Sequence, residues 1–303
     1  TTNGGTNWNV QKTGVNNIYY SAHFNDINTG YIAGYNGSIY KTTNGGTNWF
    51  ALTSGTGQIL LSMDFVNSNT GFATGTLGTI IKTTNAGANW QILNSNITSS
   101  VNAVKFIDQN TGFACGGLGK IIKTTNGGVN WSELTSGTTG TLYSIEPVSA
   151  SVIYTAGDNG TVLFSVNGGA NWITQSSGSS NTLRSIQFLN GVLGYAAGFN
   201  GTLLKTTNNG ANWIAVTGVA NRNYTAMSFF GNYGWVSGDA GSILKSTNSG
   251  GTIGIMQTGN ELPAGYMLSQ NYPNPFNPVT NITFSVPKTS EVKLTVYDAA
   301  GKQ

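Results

Sequence analysis

The chain reads as an all-β protein, a β-propeller of four-stranded blades followed by part of a small β-sandwich. Three observations predict this. Tryptophans stand at positions 8, 49, 90, 131, 172 and 213, a constant spacing of 41, and only Trp235 lies off the series. Each Trp ends a shared octet, such as Thr42-Thr43-Asn44-Gly45-Gly46-Thr47-Asn48-Trp49, and a fixed period of about 20–50 residues marks stacked supersecondary units. Between the octets lie short runs rich in Ile, Val, Phe, Tyr and Thr, with Gly and Asn at the junctions and no convincing helical periodicity.

One period resolves into four strands. Residues 59–65 form the first and 71–75 the second, after the turn-forming Asn67-Ser68-Asn69-Thr70; 79–82 and 90–93 form the third and fourth. Apolar first-strand positions repeat with the period: Phe24, Phe65, Phe106, Phe188 and Phe229, preceded two residues earlier by Ala22, Met63, Val104, Ile186 and Met227. That alternation marks one buried face. Pro147 replaces the Phe in the fourth copy, so that strand is expected to be irregular. One blade cannot bury both its faces, so neighbours must pack on it. Six complete sets of the first three strands are present, with up to seven fourth strands. Either the N-terminal strand joins the last blade and closes a ring of six, or it remains from a seventh blade. The abrupt start favours seven blades in the intact protein.

Composition narrows the function. Charged residues make up 8% of the chain and the net charge is +3, with no basic run, so nothing suggests a nucleic-acid partner. No apolar stretch approaches the ~20 residues that cross a bilayer as a helix. Cys115, the single cysteine, reads as a small buried hydrophobe. With one Cys and one His (His23), neither a zinc site nor a nucleophile–base pair can be assembled. The acids Asp26, Asp64, Asp108, Glu133, Glu146, Asp158 and Asp239 are scattered and lie in no distinctive motif. The expectation is a protein without catalytic residues, metal or cofactor.

The octet resembles the Asp-box, or bacterial neuraminidase repeat, Ser/Thr-x-Asp-x-Gly-x-x-Trp. Thr42, Asn44, Gly46 and Trp49 match it. So do Asn85 with Trp90, Asn126 with Trp131, Asn167 with Trp172, and Asn208 with Trp213. The resemblance implies that each octet forms the hairpin between a third and a fourth strand. Every copy carries Asn where the family has Asp; the amide can still accept backbone N–H bonds but brings no charge for a calcium-like role. Each Trp is read as a core wedge rather than a sugar platform. Sialidases of this type use three arginines, whereas this chain has Arg184 and Arg222 alone. Along its length the chain is similar to photosystem II stability/assembly-factor-like propellers, which implies assembly and binding rather than catalysis.

Repeats are informative where they differ. One residue before the repeated Phe, the copies read His23, Asp64, Lys105, Glu146, Gln187 and Ser228, all polar and all different. Three residues earlier, Tyr20, Leu61, Asn102, Tyr143, Arg184 and Thr225 vary as widely. Both sets are expected as rings near the central channel. They read either as drift at solvated positions or as a recognition ring at one mouth. Lys41, Lys82, Lys123, Lys205 and Lys245 share one position before each box and read as a solubilising, edge-protecting set, or as an attraction to anionic polysaccharide.

Prolines concentrate after Leu262. The propeller is therefore assigned to residues 1–258, a linker to 259–267 and a new element to 268–303. Within that element, Asn271-Tyr272-Pro273-Asn274-Pro275-Phe276-Asn277-Pro278, followed by Val292-Lys293-Leu294-Thr295-Val296-Tyr297-Asp298 and Gly301, resembles the start of the type A sorting domain of the type IX secretion system. The resemblance implies a Gram-negative bacterium, the type IX machinery as a partner, and export to the outer surface or medium. About half of the family domain is present. The sequence thus points to a secreted or cell-surface module that binds a surface protein or polysaccharide; the alternatives are an accessory domain of a glycan-degrading enzyme and a display scaffold.

Overall fold

The computed structural model describes residues 1, 3–11, 14 and 16–248, and the backbone of the short strands at 255–257, 267–268 and 284–285. The chain divides into two compact units, Thr1–Thr258 and Gly259–Gln303. In the second, Met267–Leu268 pairs antiparallel with Phe284–Ser285. The proposed sorting signal, Asn271 to Pro278, lies outside the described residues.

The first unit holds six four-stranded antiparallel sheets, each formed by consecutive strands. Blade 1 comprises β1 (Tyr19–Phe24), β2 (Gly30–Gly34), β3 (Ile39–Thr42) and β4 (Phe50–Leu52). Blade 2 follows with β5 (Leu60–Phe65), β6 (Gly71–Gly75), β7 (Ile80–Thr83) and β8 (Gln91–Leu93), and blade 3 with β9 (Val101–Phe106), β10 (Gly112–Gly116), β11 (Ile121–Thr124) and β12 (Ser132–Leu134). Blade 4 contains β13 (Leu142–Pro147), β14 (Ile153–Gly157), β15 (Val162–Ser165) and β16 (Ile173–Gln175); blade 5 contains β17 (Leu183–Phe188), β18 (Gly194–Gly198), β19 (Leu203–Thr206) and β20 (Ile214–Ala215). Blade 6 is built from β21 (Tyr224–Phe230), β22 (Tyr233–Gly238), β23 (Ile243–Ser246) and β24 (Ile255–Gln257). The innermost strands β1, β5, β9, β13, β17 and β21 pack side by side in that order, and among the described residues no comparable packing joins β21 back to β1. Blade 6 takes its fourth strand from Ile255–Gln257, so the N-terminal segment does not complete that sheet.

The octets are the β3–β4 type hairpins. Thr42 Oγ1 accepts the Gly46 amide at 2.9 Å while donating to Asn44 Oδ1, which in turn accepts the Asn48 amide at 2.9 Å. The same bonds recur around Asn85, Asn126, Asn167 and Asn208. Asn therefore performs the acceptor role expected of it. Four indoles stand edge-on to the first-strand Phe of their own blade: Trp49 to Phe24, Trp90 to Phe65, Trp131 to Phe106 and Trp213 to Phe188. That Phe stacks in turn on an aromatic of the preceding blade: Phe65 on Tyr31, Phe106 on Phe72 and Phe188 on Tyr154, with ring centroids 3.8–4.2 Å apart. Its ring lies over a backbone glycine such as Gly71 or Gly112, where a methyl group would strike it. In blade 4 both partners change together, and Pro147 pairs with Ile153.

Three expectations are corrected. The octet Trp is not a uniformly buried wedge. Trp131 and Trp213 are buried, and Trp213 belongs to the core cluster of Tyr154, Leu183 and Phe188. Trp49, Trp90 and Trp172 are only half-buried. Trp172 departs furthest from the pattern, because Pro147 gives it no first-strand ring to meet edge-on. It packs instead against the largely aliphatic cluster that includes Phe113, Leu142 and Ile153. The Nε1 groups of Trp90, Trp131, Trp172 and Trp213 have no protein acceptor, so these indoles act through their rings rather than through a hydrogen bond.

The Lys set, too, is not a solvated ring. Lys41, Lys82 and Lys123 each donate to a carbonyl in the next blade's octet (Ala86, Gly127 and Gly168) and lie over an aromatic of their own blade. The Lys is thus a pin between blades, and in blade 4 its place is taken by Phe164, stacked on Tyr154. Nor does Pro147 disturb its strand. β13 keeps the register of its homologues, because the amide missing at Pro147 is one that other blades direct at the preceding blade rather than into the sheet.

Candidate binding site at the channel mouth

The two candidate rings occupy two levels of the innermost strands. At the inner level, the side chains are spent largely on joining blades. Asp64 Oδ2 accepts the Phe106 amide at 2.8 Å, Gln187 Oε1 accepts the Phe229 amide at 3.0 Å, and the Glu146 carboxylate accepts that of Phe188. Lys105 cannot accept, and the homologous position in the next blade is Pro147, which has no N–H to offer. The ring residue and the next blade's backbone are matched. Ser228, in the last blade, is exposed.

Electrostatics tie four of these residues into one cluster. Asp64 Oδ1 lies 3.8 Å from His23 Nδ1 and 3.5 Å from Lys105 Nζ. Burial holds the His23 imidazole below its usual value against the opposing pull of Asp64. Burial pushes the Glu146 carboxyl up to about 7; Lys105 and the Phe188 amide pull it down, and Asp64 adds to the rise.

At the outer level, every member of the second ring is a β-bulge. In each first strand the register skips one residue, and the skipped residue is Tyr20, Leu61, Asn102, Tyr143, Arg184 or Thr225. A bulge kinks its strand and re-aims the side chain. Nothing in the residue types announces it. The turns between second and third strands sit beside these bulges, since Asp158 N bonds to Thr141 O and Phe199 N to Thr182 O.

Among these residues the structure brings together Tyr143, Arg184 and Phe199. The Arg184 guanidinium lies 4.0 Å from the centre of the Tyr143 ring and 5.8 Å from that of Phe199. Its Nε is buried without a protein acceptor, and no carboxylate among the described residues lies within ion-pair distance. The neighbouring acid, Asp158, is already engaged by the Thr141 amide and the Thr182 hydroxyl. Sequence comparison of the repeats finds Tyr143 and Arg184 but misses Phe199, which lies in a turn. Tyr20 is exposed on blade 1, away from this cage. Among the described residues no group of His, Cys, Asp and Glu side chains could hold a metal ion. No helix among them is long and apolar enough to cross a membrane.

Comparison with known proteins agrees with this architecture. The family described as photosynthesis system II assembly factor YCF48 matches residues 2–146 and 51–187, more than half of the chain. The chain belongs to that family. No curated protein sequence matches significantly. Among solved structures, YCF48 bound to a D1 peptide superposes with a TM-score of 0.66 at 18% identity, covering 82% of each chain. YCF48 from Cyanidioschyzon merolae gives 0.65 at 17% identity, covering 84% of this chain and 89% of the other. An ancestral GH74 enzyme gives 0.66 at 16% identity, covering 95% of this chain and 46% of that one. At these identities the likeness is one of fold.

Proposed function

We propose that the chain is a non-catalytic binding propeller that holds an extended, carboxylate-bearing segment of a partner protein at the channel mouth. The observation that carries this reading is Arg184, a guanidinium caged by Tyr143 and Phe199 and paired with no acid of its own. Such a group is oriented in advance and has donors to spare for a carboxylate. A fold of the same kind binds a peptide in the YCF48 complex, which supports a protein partner over a small-molecule one. The inner ring, by contrast, is occupied with blade-to-blade bonds, so it frames the channel and the bulge residues do the recognising.

Arrays of peptides ending in a free carboxylate, set beside amidated copies and a glycan panel, test this. Carboxylate peptides are expected to bind, with Arg184→Gln losing about tenfold in affinity, the worth of one charge-assisted bond. Equal binding by wild type and variant, or binding to glycans alone, overturns it.

We further propose that the protein works at the outer surface of a Gram-negative cell, delivered by the type IX machinery. This rests on the order of residues in 268–301. The full-length protein, followed in a bacterium with and without that machinery, should reach the surface or medium only in the first; equal export in both contradicts the reading.

A further inference from the structure

Each turn between a second and a third strand carries one non-glycine residue with left-handed backbone. These are Asn36, Leu77, Leu118, Asn159, Asn200 and Ala240, with φ between 51° and 58°. Asn is an ordinary occupant of that region; a bulky side chain is not, because its Cβ crowds the neighbouring carbonyl. Blades 2 and 3 nevertheless hold leucine there, and Leu77 and Leu118 are 70% and 68% exposed. The turn does not favour these side chains and the core does not receive them.

The two leucines flank one linker, the stretch between blades 2 and 3. Gly78 N donates to Ser99 O at 2.8 Å and Gly117 N to Ser100 O at 2.9 Å, so both turns are bonded to it. Ile97, in the same linker, is half-buried and packs on the core cluster of Phe72, Ile80 and Val101. With Leu118 it walls a cleft of about 180 Å³, whose lining also includes the Lys120–Glu133 ion pair. That volume takes one benzene-sized or branched aliphatic group. These turns share the mouth with Arg184, since each is bonded to the backbone just ahead of its bulge: Thr76 N to Ile59 O, Gly117 N to Ser100 O, and Phe199 N to Thr182 O. The mouth is therefore divided. Blades 2 and 3 bring Leu61, Leu77 and Leu118 to it, and blades 4 and 5 bring Tyr143, Arg184 and Phe199.

We propose that the apolar half is a second anchor for the same partner segment, seating an aliphatic side chain while Arg184 holds the carboxylate. This rests on the carboxylate-binding role of Arg184 and adds the chemistry of the rest of the segment. Packed sheets stand roughly 10 Å apart, so two blade steps separate Leu118 from Arg184 by about 20 Å, which an extended chain crosses in about six residues. The segment that fits carries an aliphatic residue at about that distance ahead of its carboxylate. A second copy docked mouth to mouth fits less well. It would set Arg184 against its own counterpart or against leucine, and in neither case against an acid.

Leu77→Asn combined with Leu118→Asn tests the idea, because it installs at both turns the residue that blades 1, 4 and 5 already carry. Relief of the left-handed leucines should raise the melting temperature by about 2–4 °C. Synthetic peptides of about ten residues, with a free or amidated end and Leu or Asn at the spaced position, are then titrated. The double variant should bind the Leu peptide about tenfold more weakly than wild type does, and the Asn peptide equally. Arg184→Gln should still prefer Leu over Asn but no longer distinguish free carboxylate from amide. A double variant that binds every peptide as wild type does, while Arg184→Gln weakens binding, overturns the aliphatic anchor and leaves the role of Arg184 standing. Leucine dependence without carboxylate dependence overturns the role of Arg184 and the pairing with it. A lower melting temperature for the double variant, or a wild-type dimer that the two substitutions dissociate, overturns the proposal as well.

Discussion

Replacing Glu146 by Gln should stabilise the protein at neutral and alkaline pH and leave it unchanged in mild acid. Glu146 lies on the channel wall, where burial raises its carboxyl from an ordinary 4.5 to about 7. A raised carboxyl favours the protonated form in the folded state. Its contribution to stability is therefore complete below about pH 4.5 and is lost as pH climbs to about 7. The full shift corresponds to a ceiling of about 3 kcal/mol, and solvent reaching the channel wall reduces the expected loss to about 1–2 kcal/mol. Gln removes the titration and keeps the acceptor for the Phe188 amide, as Gln187 does for Phe229 in the next blade. His23 titrates in the same cluster with the opposite sign, its held-down imidazole costing stability as pH falls below 6.5, so the quantity to follow is the difference between the two proteins. Urea unfolding at a series of pH values should give coincident curves near pH 4.5 and a variant more stable by about 1–2 kcal/mol at pH 8. A pH-independent difference, or a variant less stable at pH 8, refutes the reasoning.

Other perturbations probe the joints between blades. Pro147→Ala introduces an amide facing Lys105 and should cost about 1–2 kcal/mol; adding Lys105→Gln should recover most of that, measured as coupling in a double-mutant cycle. Lys82→Met removes the ammonium that joins the Gly127 carbonyl to the Phe72 ring, and should lower stability by about 1–2 kcal/mol in thermal unfolding. Thr124→Val leaves the buried Gly128 amide without its acceptor, for a loss of about 1–3 kcal/mol in the same assay. Cys115, whose thiol burial pushes up to about 12, should react with maleimide only on unfolding, and rapid labelling of the folded chain would contradict its placement.

The architecture is legible because the repeat is strict. A Trp every 41 residues, a Phe two positions beyond an aliphatic residue and an Asn-Gly-rich octet name the strands, the hairpins and the buried face. Less legible is anything that depends on what a side chain meets in the next blade or across its own. Trp172 and Trp213 occupy the same repeat position, yet Trp213 meets Phe188 edge-on while Trp172, in the blade that carries Pro147, packs on a largely aliphatic cluster. Lys82 reads as a surface charge, but its ammonium is held by a carbonyl some 45 positions ahead. Lys105 and Pro147 look like unrelated departures from the pattern, and only across the blade boundary do they match. The candidate site shows the same limit. Variation among copies singles out Tyr143 and Arg184, but the bulge that takes them out of the ladder follows from strand register, and Phe199 enters from a turn that the repeat leaves unmarked.

The proposed function turns on a partner being held at the mouth around Arg184. Backbone hydrogen exchange, compared with and without a bound carboxylate peptide, reads this directly. Protection is expected at 141–143, 182–184 and 198–200, and should vanish in Arg184→Gln. Protection confined to the octet hairpins or the outer strands β4, β8 and β12 would contradict it.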